Sequence, residues 1–191
     1  YLIHFINNII ITYLTYYDVI LSYTDIINFD KHNTSLLPTV MTFSLHAYHT
    51  AIYYKKFRFD DWLHHILMCI VALPIAVLAN GGILLNHSLF YLTGLPGGID
   101  YFLLFLQRNN FINKITEKKI NNYINLWLRC PGCIIHAGLT MVLYSLRGNE
   151  FTYLQSCFAL ITGLITYWNG IYFMNQVVVN YNMTLRKEKL K

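Results

Sequence analysis

Charged residues in this chain fall in short clusters, and between them run uncharged apolar stretches long enough to cross a bilayer. About 20 helical residues span a hydrocarbon core roughly 30 Å thick, and only helices or closed barrels satisfy the backbone there. The chain is 55% hydrophobic and 12% charged, where soluble domains carry about 25% charged residues. This pattern predicts an all-α, polytopic membrane protein of one domain and excludes a soluble domain with a large core. The net charge of +5 is assigned to cytosolic loops facing anionic lipid headgroups, so no nucleic-acid partner is implied.

About six transmembrane helices are expected, near residues 2–23, 36–54, 60–79, 83–107, 120–146 and 151–183, with a basic cytosolic tail at 186–191. Pro38 falls in a first helical turn, where proline is tolerated. Gly94-Leu95-Pro96-Gly97-Gly98 is expected to split the fourth segment at 94–98 into two half-helices, tolerable at membrane depth only beside protein or a water-filled cavity. Residues 108–119, with Lys114, Lys118 and Lys119, read as a polar loop, and Arg129 and Pro131 interrupt the fifth segment. With six crossings, one side holds eleven Lys and Arg residues and the other holds Lys31 and Arg147. The positive-inside rule then places the eleven, and both ends of the segment, in the cytosol. Asn33-Thr34-Ser35, a glycosylation acceptor pattern, lies in a loop assigned to the lumen. Tyr1 in place of an initiator Met predicts a missing N-terminal piece. The first apolar stretch is too long for a signal peptide and lacks its small-residue cleavage pattern.

Asp60-Asp61-Trp62-Leu63-His64-His65 places two acids at the mouth of an apolar run and two histidines about one turn inside. Ionisable groups under a membrane surface are costly without partners or a task. At about 1.5 Å per residue, His46, His49, His64, His65, Asp100, Arg129, His4 and Asn169 all fall in the cytosolic half of the bilayer. Asp18, Asn86, His87 and His136 fall in the other half. His46 and His49 share a helix face through i, i+3 spacing. Asp61, three and four residues before the histidine pair, is expected to accept a ring N–H and fix a tautomer, as a general base requires. His64, His65, Asp61 and Asp100 are therefore candidate catalytic residues. Neutral, hydrogen-bonded structural histidines are the other reading. Arg129, His46, His49 and Asn169 are candidate substrate-binding residues. Arg129 either pairs with Asp100 or holds a phosphate or carboxylate of a lipid or acyl-CoA.

No metal site is expected. Eight histidines would suit a metal-dependent membrane lipid oxidase, but only one HxxH and one isolated His-His occur. Cys130-Pro131-Gly132-Cys133 has CxxC spacing yet no second pair, and helix packing with a kink is the expected role. The four cysteines lie in apolar segments and make no secreted disulfide framework.

Asp60 to Pro74, DDWLHHILMCIVALP, resembles the histidine-pair helix of the TLC-domain family, which includes the ceramide synthases. Asp100-Tyr101-Phe102-Leu103 is similar to the second half of the synthase signature, and His4 and Trp168-Asn169-Gly170-Ile171-Tyr172 also resemble the family's first and last helices. The resemblance covers nearly the whole chain and implies a six-helix membrane barrel with a central cavity. Where the synthase signature carries a His-Asp pair, Pro96 and Gly97 stand here, so the chain resembles divergent, lipid-regulating members. The resemblance implies membrane lipids as partners and a cavity for an acyl chain or sphingolipid, with no required cofactor. The alternative it implies is a sphingoid-base N-acyltransferase using His64 or His65, with acyl-CoA as co-substrate. A homo-oligomer stays open. Lys187 and Lys189 resemble a dilysine endoplasmic-reticulum retrieval signal if Lys191 is the terminus.

Overall fold

The computed structural model describes residues 1–190, and among them every regular element is helical. Six helical runs alternate in direction: α1 (Leu2–Thr24), α2 (Leu37–Tyr53), α3 (Phe59–Leu78), α4 (Gly82–Arg108), α5 (Lys114–Glu150) and α6 (Tyr153–Lys189). Four of them, α3 to α6, are long and apolar enough to cross a membrane. The other two differ for visible reasons. The second run, α2, has only 17 residues, and α1 carries His4, Asn7, Asn8 and Asp18 among its apolar side chains.

Two boundaries depart from expectation. Asn113 caps α5, its Oδ1 accepting from the Thr116 N–H at 2.7 Å, so Lys114, Lys118 and Lys119 ride on the helix instead of in a loop. Acids favour a helix start, and Glu117 sits in that first turn, buried. At the other end, α6 continues to Lys189 with Arg186, Lys187 and Lys189 in its last turn, where cations complement the helix dipole. The expected tail is therefore helical; its last residue, Lys191, lies outside the described residues. With 37 residues, at about 1.5 Å each, α6 far exceeds a hydrocarbon core of about 30 Å.

Three interior prolines shape the bundle. Pro74, Pro96 and Pro131 each follow a π-helical stretch that ends two residues earlier: His65–Ala72, Phe90–Gly94 and Asn125–Arg129. Proline lacks an N–H and its ring collides with the carbonyl four residues back. That carbonyl belongs to Ile70, Leu92 or Trp127, in every case inside the widened π stretch, which moves it aside. The expected split at 94–98 is thus corrected. Gly94 is kinked, with ψ −104°, but one helical course runs from Gly82 to Arg108.

The glycines of that kink serve a close helix crossing. A Cβ at Gly97 would lie 2.8 Å from Asn8 Nδ2, and one at Gly98 would lie 3.0 Å from Ile9 Cδ1. Small residues at such spacing let helix backbones approach in a membrane. A second tight seam joins α5 to α6, where a Cβ at Gly170 would lie 2.7 Å from Cys133 Cβ.

One end of the bundle is plugged. Between α1 and α2 a short helical turn, Ile26–Lys31, inserts Phe29, which is fully buried among Ala79, Ile83, Leu84, Leu143, Tyr144 and Ala159. The Tyr144 hydroxyl donates to the Ala79 carbonyl at 3.1 Å and ties α5 to the end of α3. Arg147 covers the plug, bonding the Ile27 carbonyl and the Glu150 carboxylate over the Phe29 ring. The opposite end stays open, and the expected polar residues gather there.

Candidate functional site

The site begins with how α3 starts. Arg58 is the N-cap, and Asp61, three residues on, accepts the Arg58 N–H at 2.9 Å with the guanidinium 3.6 Å away. Unpaired N–H groups at a helix start favour such a bond. The expected bond from Asp61 to a histidine ring is therefore not formed. Asp60 is likewise engaged, its Oδ1 accepting from the Tyr172 hydroxyl at 2.8 Å, which ties α3 to α6.

The partners of the histidine pair come from α2. His65 Nδ1 lies 3.0 Å from Thr50 Oγ1, and His64 Nε2 lies 3.2 Å from His46 Nε2. His46 Nδ1 lies 2.7 Å from the Thr42 carbonyl, which can only accept. Nδ1 of His46 is therefore protonated and its Nε2 carries a lone pair. His64 must then donate its Nε2–H to His46, and its Nδ1 is left as a bare lone pair, buried and without a partner. His49 and His4 complete the cluster. The rings of His49 and His65 lie 5.6 Å apart, and those of His4 and His49 lie 5.4 Å apart. Phe57 stacks on His65 with ring centres 4.6 Å apart, and Phe173 meets His64 edge-on at 5.7 Å. Among the described residues no group of three or more histidine, cysteine or carboxylate side chains is arranged to hold a metal ion.

Arg129 ends the π stretch of α5, where the widened turn presents it toward α6. Its Nη2 donates to Asn169 Oδ1 at 3.1 Å, and its guanidinium lies 5.4 Å from the Phe173 ring centre. The pairing with Asp100 expected as one option is absent: no carboxylate among the described residues lies within ion-pair distance of Arg129. Arg129 Nε and Asp100 Oδ1 are both buried without partners. Asn169 is fully buried behind Arg129 and holds it in place.

These groups surround the mouth of a cavity of about 840 Å³ that His4, His46, His49, His64, His65, Asp61, Asp100 and Arg129 all line. Its depth is lined by Leu73, Ala76, Leu84, Leu85, Leu89 and Ala159 and ends at Ala79 and Tyr144, beside the Phe29 plug. From His65 to Ala79 the distance along α3 is about 20 Å at ~1.5 Å per residue. Thr42, Thr140 and Thr162 also line the wall, but each hydroxyl donates to its own helix, to Pro38, His136 and Phe158 carbonyls. The deep wall thus presents mostly methyl groups, with His136, Ser88 and Thr166 as its further polar side chains. The volume falls within the roughly 300–1,000 Å³ of small-molecule sites.

Asn169 supports this site without lining it. Sequence reasoning missed Thr42, Thr50, Tyr172 and Phe173, and it marked Asp60 at the mouth without giving it a partner. The i−4 relation of Thr42 to His46 was a readable signal; contacts between distant helices had none. A second polar group joins α1, α4 and α5, and of its members His136 also lines the cavity. Asn86 Nδ2 donates to Asp18 at 2.6 Å, the Tyr23 hydroxyl lies 3.1 Å from His87 Nε2, and His87 stacks on His136 with centres 5.6 Å apart. No family model matches the chain, and no curated protein or solved structure is significantly similar to it.

Proposed function

We propose that this is a multi-pass membrane protein of TLC type that binds a membrane lipid, an acyl chain or sphingolipid, in its cavity. One observation carries the reading: a polar mouth of histidines and Arg129 opens onto an apolar, blind depth. That polarity profile matches an amphiphile lying headgroup outward. In this reading α1 and α2 join the four long helices to make six spans around the central cavity. Their polar faces turn inward, as membrane polar residues do. The basic clusters put the mouth and the end of α6 in the cytosol, and Lys187 and Lys189 favour the endoplasmic reticulum. Native mass spectrometry of protein purified in nanodiscs tests the reading. One retained lipid per chain is expected, with retention lost in Ala76→Trp, which fills the depth; protein that retains no lipid overturns it.

A second reading, a sphingoid-base N-acyltransferase, is favoured by the bare Nδ1 lone pair of His64. That nitrogen would take the proton from the amine as the amine attacks an acyl-CoA thioester. The C–S bond would break, and the proton would pass to the departing thiolate. N-acylation by wild type and its loss in His64→Ala would establish this reading; no acylation by a lipid-retaining protein leaves the first.

A further inference from the structure

Resting on the lipid-cavity reading, the inventory of unpartnered groups at the mouth specifies the headgroup. Arg129 is a permanent cation at membrane depth with no carboxylate among the described residues within ion-pair distance, and its Nε–H is buried without an acceptor. An unneutralised buried cation is costly, and a free guanidinium edge fits the oxygens of a carboxylate or phosphate. Asn169 holds the guanidinium through Nη2 and so acts as a positioning residue. Two further residues that line the same mouth each hold a buried atom with no partner, His64 Nδ1 and Asp100 Oδ1. Both belong to residues within electrostatic reach of Arg129. The first is a bare acceptor by the tautomer chain from Thr42, and the second is a carboxylate oxygen. Of the other nearby acids, Asp60 is bonded to Tyr172 and Asp61 to Arg58, and Asp100 stands within electrostatic reach of Arg129 without forming an ion pair with it.

We infer that the mouth binds the headgroup of a single-chain anionic lipid, its oxyanion on Arg129 and a neighbouring hydroxyl or N–H donor on His64 Nδ1 and Asp100. One chain is implied because the cavity, about 840 Å³ in all, ends at Ala79 and Tyr144 and must also hold the headgroup. Carboxylate and phosphate monoester share this chemistry, and the test separates them.

Wild-type protein in nanodiscs is titrated with four radiolabelled palmitoyl probes. Lysophosphatidic acid and N-palmitoylglycine carry oxyanion and donor, palmitate carries the oxyanion alone, and monopalmitoylglycerol carries donors without charge. One or both of the first pair bind roughly 10–100-fold tighter than monopalmitoylglycerol, the size of a charge-assisted hydrogen bond. Palmitate is weaker than N-palmitoylglycine, and Arg129→Gln abolishes the advantage of the anions over monopalmitoylglycerol. Monopalmitoylglycerol binding as tightly as the anions overturns the inference and leaves the lipid-cavity reading standing. Palmitate matching N-palmitoylglycine removes the donor half. Failure of every probe to bind overturns both readings. The four wild-type titrations decide the matter even if the Arg129 variant does not fold.

Discussion

His46 Nε2 and His64 Nε2 lie 3.2 Å apart across the α2–α3 seam, and the Thr42 carbonyl decides which of them holds the proton. Because His46 spends Nδ1–H on that carbonyl, the shared proton belongs to His64. The chain of bonds runs from a backbone acceptor to a buried, unpartnered lone pair, and it gives two adjacent histidines different tasks. His64 is left with a free acceptor, and His65 is tied to Thr50 and covered by Phe57.

The first prediction follows from that chain. In protein labelled with 15N-histidine near neutral pH, His46 shows the Nδ1–H tautomer and His64 the Nε2–H tautomer. His46→Phe removes the acceptor for His64 and costs about 1–3 kcal/mol, as for any buried donor left unpaired. Thermal unfolding in detergent measures the cost. Identical tautomers at the two positions would refute the relay.

Much of the helical plan was readable because membrane depth limits what a backbone can do. The apolar runs and the charge clusters marked six helical stretches, and His46, His49, His64, His65, Asp100 and Arg129 do line one cavity. Asp61 was misread because two bonds compete for it. Its i, i+4 spacing to His65 allows a ring contact, but at the third helical position the unpaired Arg58 N–H is nearer. The Arg129–Asp100 pairing failed for a different reason. The direction of Arg129 depends on the π stretch before Pro131, and counting residues for depth says nothing of the face on which it lies. Gly94 to Gly98 read as a break because its chemistry is that of a breaker; its use as a contact surface depends on Asn8 and Ile9 of a distant helix.

Asp25, at the end of α1 outside the membrane segments, titrates in a predictable direction. It accepts from Asn28 Nδ2 at 2.7 Å and lies 2.9 Å from His32 Nε2. The bond from Asn28 first, then His32, holds its carboxyl below the ordinary range. A folded pKa below the unfolded value stabilises above the unfolded pKa, about 3.9, and the contribution is lost as pH falls through the folded pKa. Asp25→Ala therefore lowers the melting temperature at pH 7, and the difference from wild type shrinks as the pH falls below about 4. A difference that persists undiminished well below that pH would show that the ionised carboxylate is not responsible.

Gly170 and Cys133 form a seam that admits no extra atom. Gly170→Ala places a Cβ against Cys133 Cβ and is expected to cost about 1–3 kcal/mol by overpacking. Cys133→Gly makes the opposite error. The double variant recovers part of both losses, because each removes the other's cause. Melting temperatures of the four proteins measure the coupling, and strictly additive losses would show that α5 and α6 do not meet at these residues.

The π stretch before Pro131 predicts an asymmetry in how α5 tolerates deletion. A π turn holds surplus backbone relative to an α turn, so removing one residue there returns the helix to α geometry while its flanks keep their facing. Deleting a residue from ordinary helix instead rotates everything beyond it by about 100°, one residue's share of a 3.6-residue turn. Pro131→Ala combined with deletion of Leu128 is therefore expected to fold, since alanine, unlike proline, does not collide with the carbonyl then four residues back, that of Leu126. Deletion of Leu139, in the regular part of α5, is expected not to fold, because it misplaces either the Tyr144–Ala79 bond or the Cys133–Gly170 seam. Size-exclusion profiles and melting curves compare the two. Equal tolerance of both deletions would mean that the π geometry does not set the register of α5. If the Leu128 deletion folds, a large change in lipid retention is the second readout, since Arg129 loses the widened turn that aims it at Asn169 and the cavity.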